Sequence, residues 1–322
     1  MLYPLTFHPI FKERVWGGRA LERLYHKPLP PGVPIGESWE ISDRPGDISV
    51  IANGALAGKD LHWLVANHAM DLLGSVKPQQ GRFPLLLKIL DAREKLSLQV
   101  HPPADKAAEL GGEPKTEMWY VAEAAPGAEL YIGLKRDVTR DRFERKLKTG
   151  TVDECFHRVS VRPGDAIFLP SGRVHAAGAG LVVFEIQQNS DTTYRVFDWN
   201  RAGLDGKPRE LQVAQSLASI NFNDIEPSLI QSQFAGTGPT KVRPLVRDPL
   251  FTVEVYQATA GANLPLEPNE VQIIAVVAGQ VQVRDARTTI PLSAGRFCLV
   301  PASLGQITLQ AQTSATFLRV EP

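Results

Sequence analysis

The chain has 322 residues, 43% of them apolar and 22% charged, with 35 basic side chains against 35 acidic ones. That length suffices for two domains, each with its own core. The even charge balance excludes a basic surface built for nucleic acid or an anionic membrane. Cys155 and Cys298 share no close spacing, which argues for a reducing compartment without a disulfide framework. The first residues lack a basic stretch followed by an apolar run. No stretch reaches the roughly 20 apolar residues of a membrane helix. The expectation is a cytoplasmic protein with no membrane partner.

In chain order, scattered glycines and prolines punctuate short elements, the habit of all-β chains. Residues 1–58 read as loops and short strands, with a turn at Trp16-Gly17-Gly18. Gly36–Ser42 alternates, with Ser38, Glu40 and Ser42 on one face and Trp39 and Ile41 on the other. Glu37 and Glu40 fit either a site or a solvated face. Apolar residues at helical spacing predict a helix over 59–75, whose His62 and His68 read as surface or core-edge residues. Phe83–Asp91 is a nearly continuous apolar strand, buried on both faces.

Lys95–Pro103 is the most informative stretch. Leu96, Leu98 and Val100 share one strand face, and Ser97, Gln99 and His101 share the other. Ser, Gln and His suit a polar interior better than a solvated face. A helical turn follows at 103–110, closed by Gly111-Gly112, and β structure resumes at Glu117. Residues 137–149 read as a charged, solvated helix. Val159–Leu169 reads as strand around a hairpin turn at Pro163-Gly164-Asp165. Leu181–Gln187 alternates again, with Val183, Glu185 and Gln187 opposite Val182, Phe184 and Ile186. The polar run 188–199 reads as a loop beside a site, and 208–220 as a last helix.

The pattern weakens around 222–246, which divides the chain into residues 1–235 and residues 236–322. Arg162–Pro170 and Leu292–Pro301 both carry Gly-x5-Pro. His175 follows the first copy, whereas no histidine occurs after residue 222. The repeat implies two barrels of one type, of which only the first is competent to bind a metal.

Gln99, His101, Glu117 and His175 offer two imidazoles, a carboxylate and an amide oxygen. That set suits Zn²⁺, one per chain, with Mn²⁺, Fe²⁺ and Co²⁺ as rivals. The spacing of Gln99 and His101 puts both side chains on one face, about 7 Å apart at Cα. Gly164-x5-Pro170-x-Gly172-x2-His175 fits the second cupin motif, and Gln99-Val100-His101 stands where the first motif usually has His-x-His. The expected fold class is mainly β: two cupin-type jelly-roll β-barrels with a few short helices. Residues 1–235 would form the metal-binding barrel and 236–322 a degenerate one.

Several stretches together closely resemble the type I mannose-6-phosphate isomerases in their short bacterial form. These are Leu96–Pro102, Lys115-Thr116-Glu117-Met118-Trp119, His175-Ala176 and Glu185–Trp199, joined by Trp16-Gly17-Gly18, Gly36–Glu40 and Phe83–Lys88. The resemblance is specific over residues 1 to about 220 and loose beyond. It implies zinc on Gln99, His101, Glu117 and His175, catalysis by Arg195, and sugar-phosphate binding by Ser97 and Lys115. It implies exchange between mannose 6-phosphate and fructose 6-phosphate through an enediol(ate), whose negative charge a cation stabilises. Arg195 stays protonated at neutral pH, so it fits an electrostatic or phosphate role better than that of a base. Lys115, Glu185 and Asp191 are the candidate bases, and Asp191 is also counted with the substrate-binding groups. Rival readings are an isomerase of another aldose or aldose phosphate, and a non-catalytic sugar-binding metal cupin. The only other partner expected is a second copy, as a monomer or homodimer.

Overall fold

Short apolar runs separated by glycine and proline turns fold as strands, and the computed structural model, which describes residues 1–322, holds 22 of them with four α-helices. The chain opens with β1 (Ile10–Gly18), α1 (Ala20–Tyr25), β2 (Ile35–Ile41) and a small pair, β3 (Asp43–Arg44) and β4 (Asp47–Ile48). Then come α2 (Leu61–Leu73), β5 (Leu85–Ala92), β6 (Leu98–Val100), β7 (Glu117–Ala124), β8 (Glu129–Leu134) and α3 (Arg140–Lys148). Next are β9 (Phe156–Ser160), β10 (Ala166–Leu169), β11 (His175–Ala177), β12 (Leu181–Gln188), β13 (Tyr194–Phe197) and α4 (Val213–Ser219). The remaining strands are β14 (Thr240–Asp248), β15 (Phe251–Ala258), β16 (Asn263–Leu266), β17 (Gln272–Ala278) and β18 (Gln280–Arg284). β19 (Thr289–Ser293), β20 (Phe297–Val300), β21 (Ile307–Ala311) and β22 (Ala315–Glu321) complete the chain.

A six-stranded sheet, β1-β2-β5-β12-β7-β10, faces a five-stranded one, β13-β6-β11-β8-β9. A second pair of sheets, β14-β15-β22-β17-β20 and β16-β21-β18-β19, repeats the arrangement. The architecture is mainly β, two cupin-type jelly-roll barrels. No helix is long and apolar enough to cross a membrane.

The middle of the six-stranded sheet, β2, β5 and β12, is buried on both faces. The sheet's inner side chains, among them Leu90, Trp119, Val121 and Val183, close the first barrel against Leu98, Ile132 and Ala176. Its outer side chains, Ile89, Phe184 and Ile186, pack on Val253, Ile273, Phe297 and Val320 of the second unit. This is why β5 reads as an apolar run, and β12, which reads as alternating, is likewise buried at every residue, its Glu185 and Gln187 facing the barrel interior. The N-terminal segment joins the same interface, because Leu5 and Leu299 exchange two backbone hydrogen bonds of 2.8 Å. The second barrel is filled with Ile274, Val276, Val283, Leu309 and Phe317.

Several local expectations are corrected. Trp16-Gly17-Gly18 ends β1 rather than making a turn. Its glycines allow close approach: a Cβ on Gly17 would sit 2.4 Å from the Gly36 nitrogen. Pro163-Gly164-Asp165 is no hairpin turn, since β9 pairs with β8 while β10 pairs with β7. The turn carries the chain from one sheet to the other. The helix expected over 208–220 is confined to α4, and part of the run 188–199 is β13, whereas 103–110 does form a helical turn, with the Ala107 and Leu110 N–H groups donating to the Pro103 and Lys106 carbonyls.

Candidate metal centre

The alternation in β6 aims Gln99 into the first barrel, with His101 just beyond the strand end. β11 lies directly alongside, with His175 opposite Gln99 in register. β7, in the facing sheet, starts at Glu117. One ligand atom from each of His101, Glu117 and His175 lies within 4.8 Å of the others. His175 Nε2 is 3.1 Å from Glu117 Oε1, and His101 Nε2 is 3.5 Å from Oε2. The Gln99 carboxamide ends 3.3 Å from His175 Nε2, and half a turn of the amide presents its oxygen there.

Both imidazoles are oriented from behind. His101 Nδ1 lies 2.8 Å from the Thr192 carbonyl and His175 Nδ1 lies 3.0 Å from the Arg173 carbonyl. An Nδ1–H donor on each ring leaves the Nε2 lone pair facing the cluster. Burial, aided by the charge of Lys115, lowers the His101 pKa to about 3, so the ring is neutral. Burial works against the Glu117 carboxylate, but the charge of Lys115 holds its pKa well below the ordinary value. Both Glu117 oxygens are buried and accept no hydrogen bond. Lys115 Nζ approaches one of them to 2.7 Å as an ion pair, out of line for a hydrogen bond. Two imidazole lone pairs and a buried carboxylate around one point are what a divalent cation requires.

Beside this cluster lies a cavity of about 290 Å³ whose wall includes Ser97, Gln99, Lys115, Glu185, Asp191 and Arg195. Ser97 is buried, and Asp191 is exposed at the mouth. Arg195 donates to the Glu210 carbonyl at 3.0 Å and has no carboxylate partner, and its buried Nε makes no hydrogen bond. Burial and the nearby Arg209 lower its pKa. Lys115 stands 3.7 Å from Glu185. Burial opposes the Lys115 ammonium, yet Glu117 and Glu185 raise its pKa above the usual lysine value. Glu185 accepts from Trp119 Nε1 at 3.0 Å, and burial raises its pKa against the opposing pull of Lys115 and Lys88.

The cavity wall also holds Glu37, which the sequence left between a site and a solvated face, and Arg14 and Lys88, which sequence reasoning did not assign to a site. Lys88 is 4% exposed yet makes no hydrogen bond; Glu185 lies 3.5 Å away and Glu37 3.9 Å away. The signal for it was available as a lone charge inside an otherwise apolar strand. Glu37 accepts from Arg14 Nε at 2.8 Å and from Trp39 Nε1 at 2.6 Å. Burial opposes its charge, but Lys88 and Arg14 bring its pKa down to about 2. Glu40 points away from the cavity and pairs with buried Lys27 at 2.6 Å. His62 pairs instead with buried Asp43, at 3.3 Å.

Comparison with known proteins agrees with this arrangement. The family model "Phosphomannose isomerase type I, catalytic domain" matches residues 5–135. The chain is 35% identical to mannose-6-phosphate isomerase ManA of Bacillus subtilis (strain 168) over 95% of this chain and 96% of that one. It is 33% identical to a mannose-6-phosphate isomerase of Streptococcus mutans over 94% of each. The crystal structure of the mannose 6-phosphate isomerase from B. subtilis superposes with a TM-score of 0.91, covering 100% of both chains at 30% identity. A point variant of the Salmonella typhimurium phosphomannose isomerase, at 17% identity and a TM-score of 0.78, shares the fold. The likeness thus extends through the C-terminal third, where the sequence motifs are loose. By sequence identity and by fold over its whole length, the chain belongs to the type I mannose-6-phosphate isomerases.

Proposed function

We propose that Gln99, His101, Glu117 and His175 hold one Zn²⁺ per chain and that the adjoining cavity interconverts mannose 6-phosphate and fructose 6-phosphate. The observation that carries this reading is the fully buried Glu117 carboxylate, which is paired with the Lys115 ammonium and faces two imidazole Nε2 atoms. When bound, a divalent cation supplies positive charge that polarises the sugar oxygens or orients the open-chain sugar.

The chain's own groups supply the remaining functions. Arg195, a cation without a carboxylate partner, holds the phosphate by charge-assisted hydrogen bonds, with Ser97 as a neutral donor. Glu185 and Lys115, 3.7 Å apart in the cavity wall, are placed to move the proton. A base takes the proton from C2 of open-chain mannose 6-phosphate and leaves an enediol(ate). Returning that proton to C1, with a proton passing from O2 to O1, gives fructose 6-phosphate. Asp191, at the mouth, orients the substrate's outer end. The buried lining limits water at the enediol(ate) and so limits side reactions.

The proposed assembly is a monomer or a homodimer. Residues 1–235 form the catalytic unit in this proposal, and residues 236–322 a structural barrel. Both cysteines are buried and unpaired, which fits a cytoplasmic location.

The test is isomerisation of mannose 6-phosphate by zinc-loaded protein, chelator-stripped protein and His101→Ala. Activity should vanish on stripping, return with Zn²⁺ and be absent in His101→Ala. Full activity in the stripped protein and in the variant would refute the metal assignment.

A further inference from the structure

His175 enters the site from the turn Pro170–Val174, and this turn is tied to the segment that leaves the first barrel. The carbonyl behind the His175 ring belongs to Arg173. The Arg173 guanidinium grips Asp224 through two bonds, Nε to Oδ2 and Nη2 to Oδ1, both 2.8 Å. A third bond, 2.7 Å, runs to the Phe168 carbonyl. The neighbouring Gly172 N–H donates to the His101 carbonyl at 2.8 Å, and the Asn221 N–H donates to the Gly172 carbonyl at 2.9 Å.

Asp224 is itself anchored. The Leu134 N–H donates to its carbonyl at 3.0 Å, and the Glu226 N–H donates to the Leu134 carbonyl at 2.9 Å. Segment 221–226 therefore lies along the end of β8, the strand that pairs with β11 and places Ile132 opposite His175. The Arg173–Asp224 pair is only 15% and 14% exposed. A two-pronged pair withdrawn from water fixes geometry far better than a surface ion pair.

We infer that Asp224, acting through Arg173, is a positioning residue for His175: the connector between the two barrels sets the tautomer and ring angle of a metal ligand it never touches. This rests on the metal reading above. Groups that hold a ligating histidine from behind typically change metal affinity by about 10- to 100-fold when lost.

The experiment measures zinc affinity by chelator competition on the full-length protein, comparing wild type, Asp224→Asn and Glu226→Gln. Glu226 lies two residues on, and its side chain accepts from the backbone N–H and the guanidinium of Arg136, both at 3.2 Å, without touching Arg173. It therefore reports general loosening of the segment. Asp224→Asn should raise the zinc dissociation constant about 10- to 100-fold, with Glu226→Gln at the wild-type value. Wild-type affinity in Asp224→Asn would overturn the proposal while leaving the metal site standing, as would equal weakening in both variants. Should Asp224→Asn fail to fold, Arg173→Lys keeps the charge, loses the fork and carries the same expectation. A wild-type protein that binds no zinc would overturn the metal reading and this inference together.

Discussion

Lys27→Met should destabilise the protein strongly although it lies outside the cavity. Lys27 is 2% exposed and Glu40 5%. The ammonium donates to Glu40 Oε1 at 2.6 Å and to the Gly295 carbonyl of the second barrel at 2.7 Å. Methionine fills a similar volume, so packing changes little. It leaves Glu40 buried with only the Ser38 hydroxyl for company. Removing one partner of a buried pair destabilises by about 3–5 kcal/mol. At about 2 °C per kcal/mol for a chain of this size, the melting temperature falls by roughly 6–10 °C. The double variant Lys27→Met/Glu40→Leu removes both charges together. It leaves the Ser38 hydroxyl and the Gly295 carbonyl short of one bond each, at about 1 kcal/mol apiece. The double variant should therefore be more stable than either single one, with a coupling of about 2 kcal/mol or more. Urea titrations of zinc-saturated wild type, both single variants and the double variant measure this coupling. Additive single effects, or a Lys27→Met loss under about 1 kcal/mol, would refute the reasoning.

Three further expectations follow from the geometry. Glu37 is ionised with a pKa near 2 in the folded chain against 4.5 ordinarily, so its stabilisation is complete above about pH 4.5 and is lost as pH falls toward 2. The gap corresponds to about 3 kcal/mol, and Glu37→Gln should flatten the stability profile in that window by urea titration; an unchanged slope would count against it. Arg195→Gln should lower kcat/KM for mannose 6-phosphate by about 10- to 100-fold, the value of a charge-assisted hydrogen bond, and steady-state kinetics that match wild type would remove Arg195 from the phosphate. Gly17→Ala forces β1 from β2, because the new Cβ would meet the Gly36 nitrogen at 2.4 Å; calorimetry should show a loss of about 1–3 kcal/mol, and wild-type stability would mean the strands yield freely.

Much of the site was legible because strands write their faces into the sequence. Ser97, Gln99 and His101 alternate with Leu96, Leu98 and Val100, and no long-range knowledge is needed to see that they share a side. What alternation cannot supply is the partner across the barrel. The turn Pro163-Gly164-Asp165 looks locally like a hairpin, yet the strands on either side of it belong to different sheets. Lys88 escaped notice because it breaks an apolar run only once, and its neighbours Glu185 and Glu37 lie far along the chain. Glu37 and Glu40 stood as equals in the sequence. The pleat sends one to the cavity and the other to the contact between barrels.

The sharing of one apolar layer by the two barrels has a consequence for synthesis. When the metal-binding barrel has emerged from the ribosome, Ile89, Phe184 and Ile186 still lack Val253, Phe297 and Val320, which cover them in the finished protein. Leu5, made before the first barrel, waits for Leu299 in the second. The nascent chain thus carries an adhesive sheet face while residues 236–322 are being made, and such transiently exposed apolar surface makes a growing chain prone to stick to its neighbours.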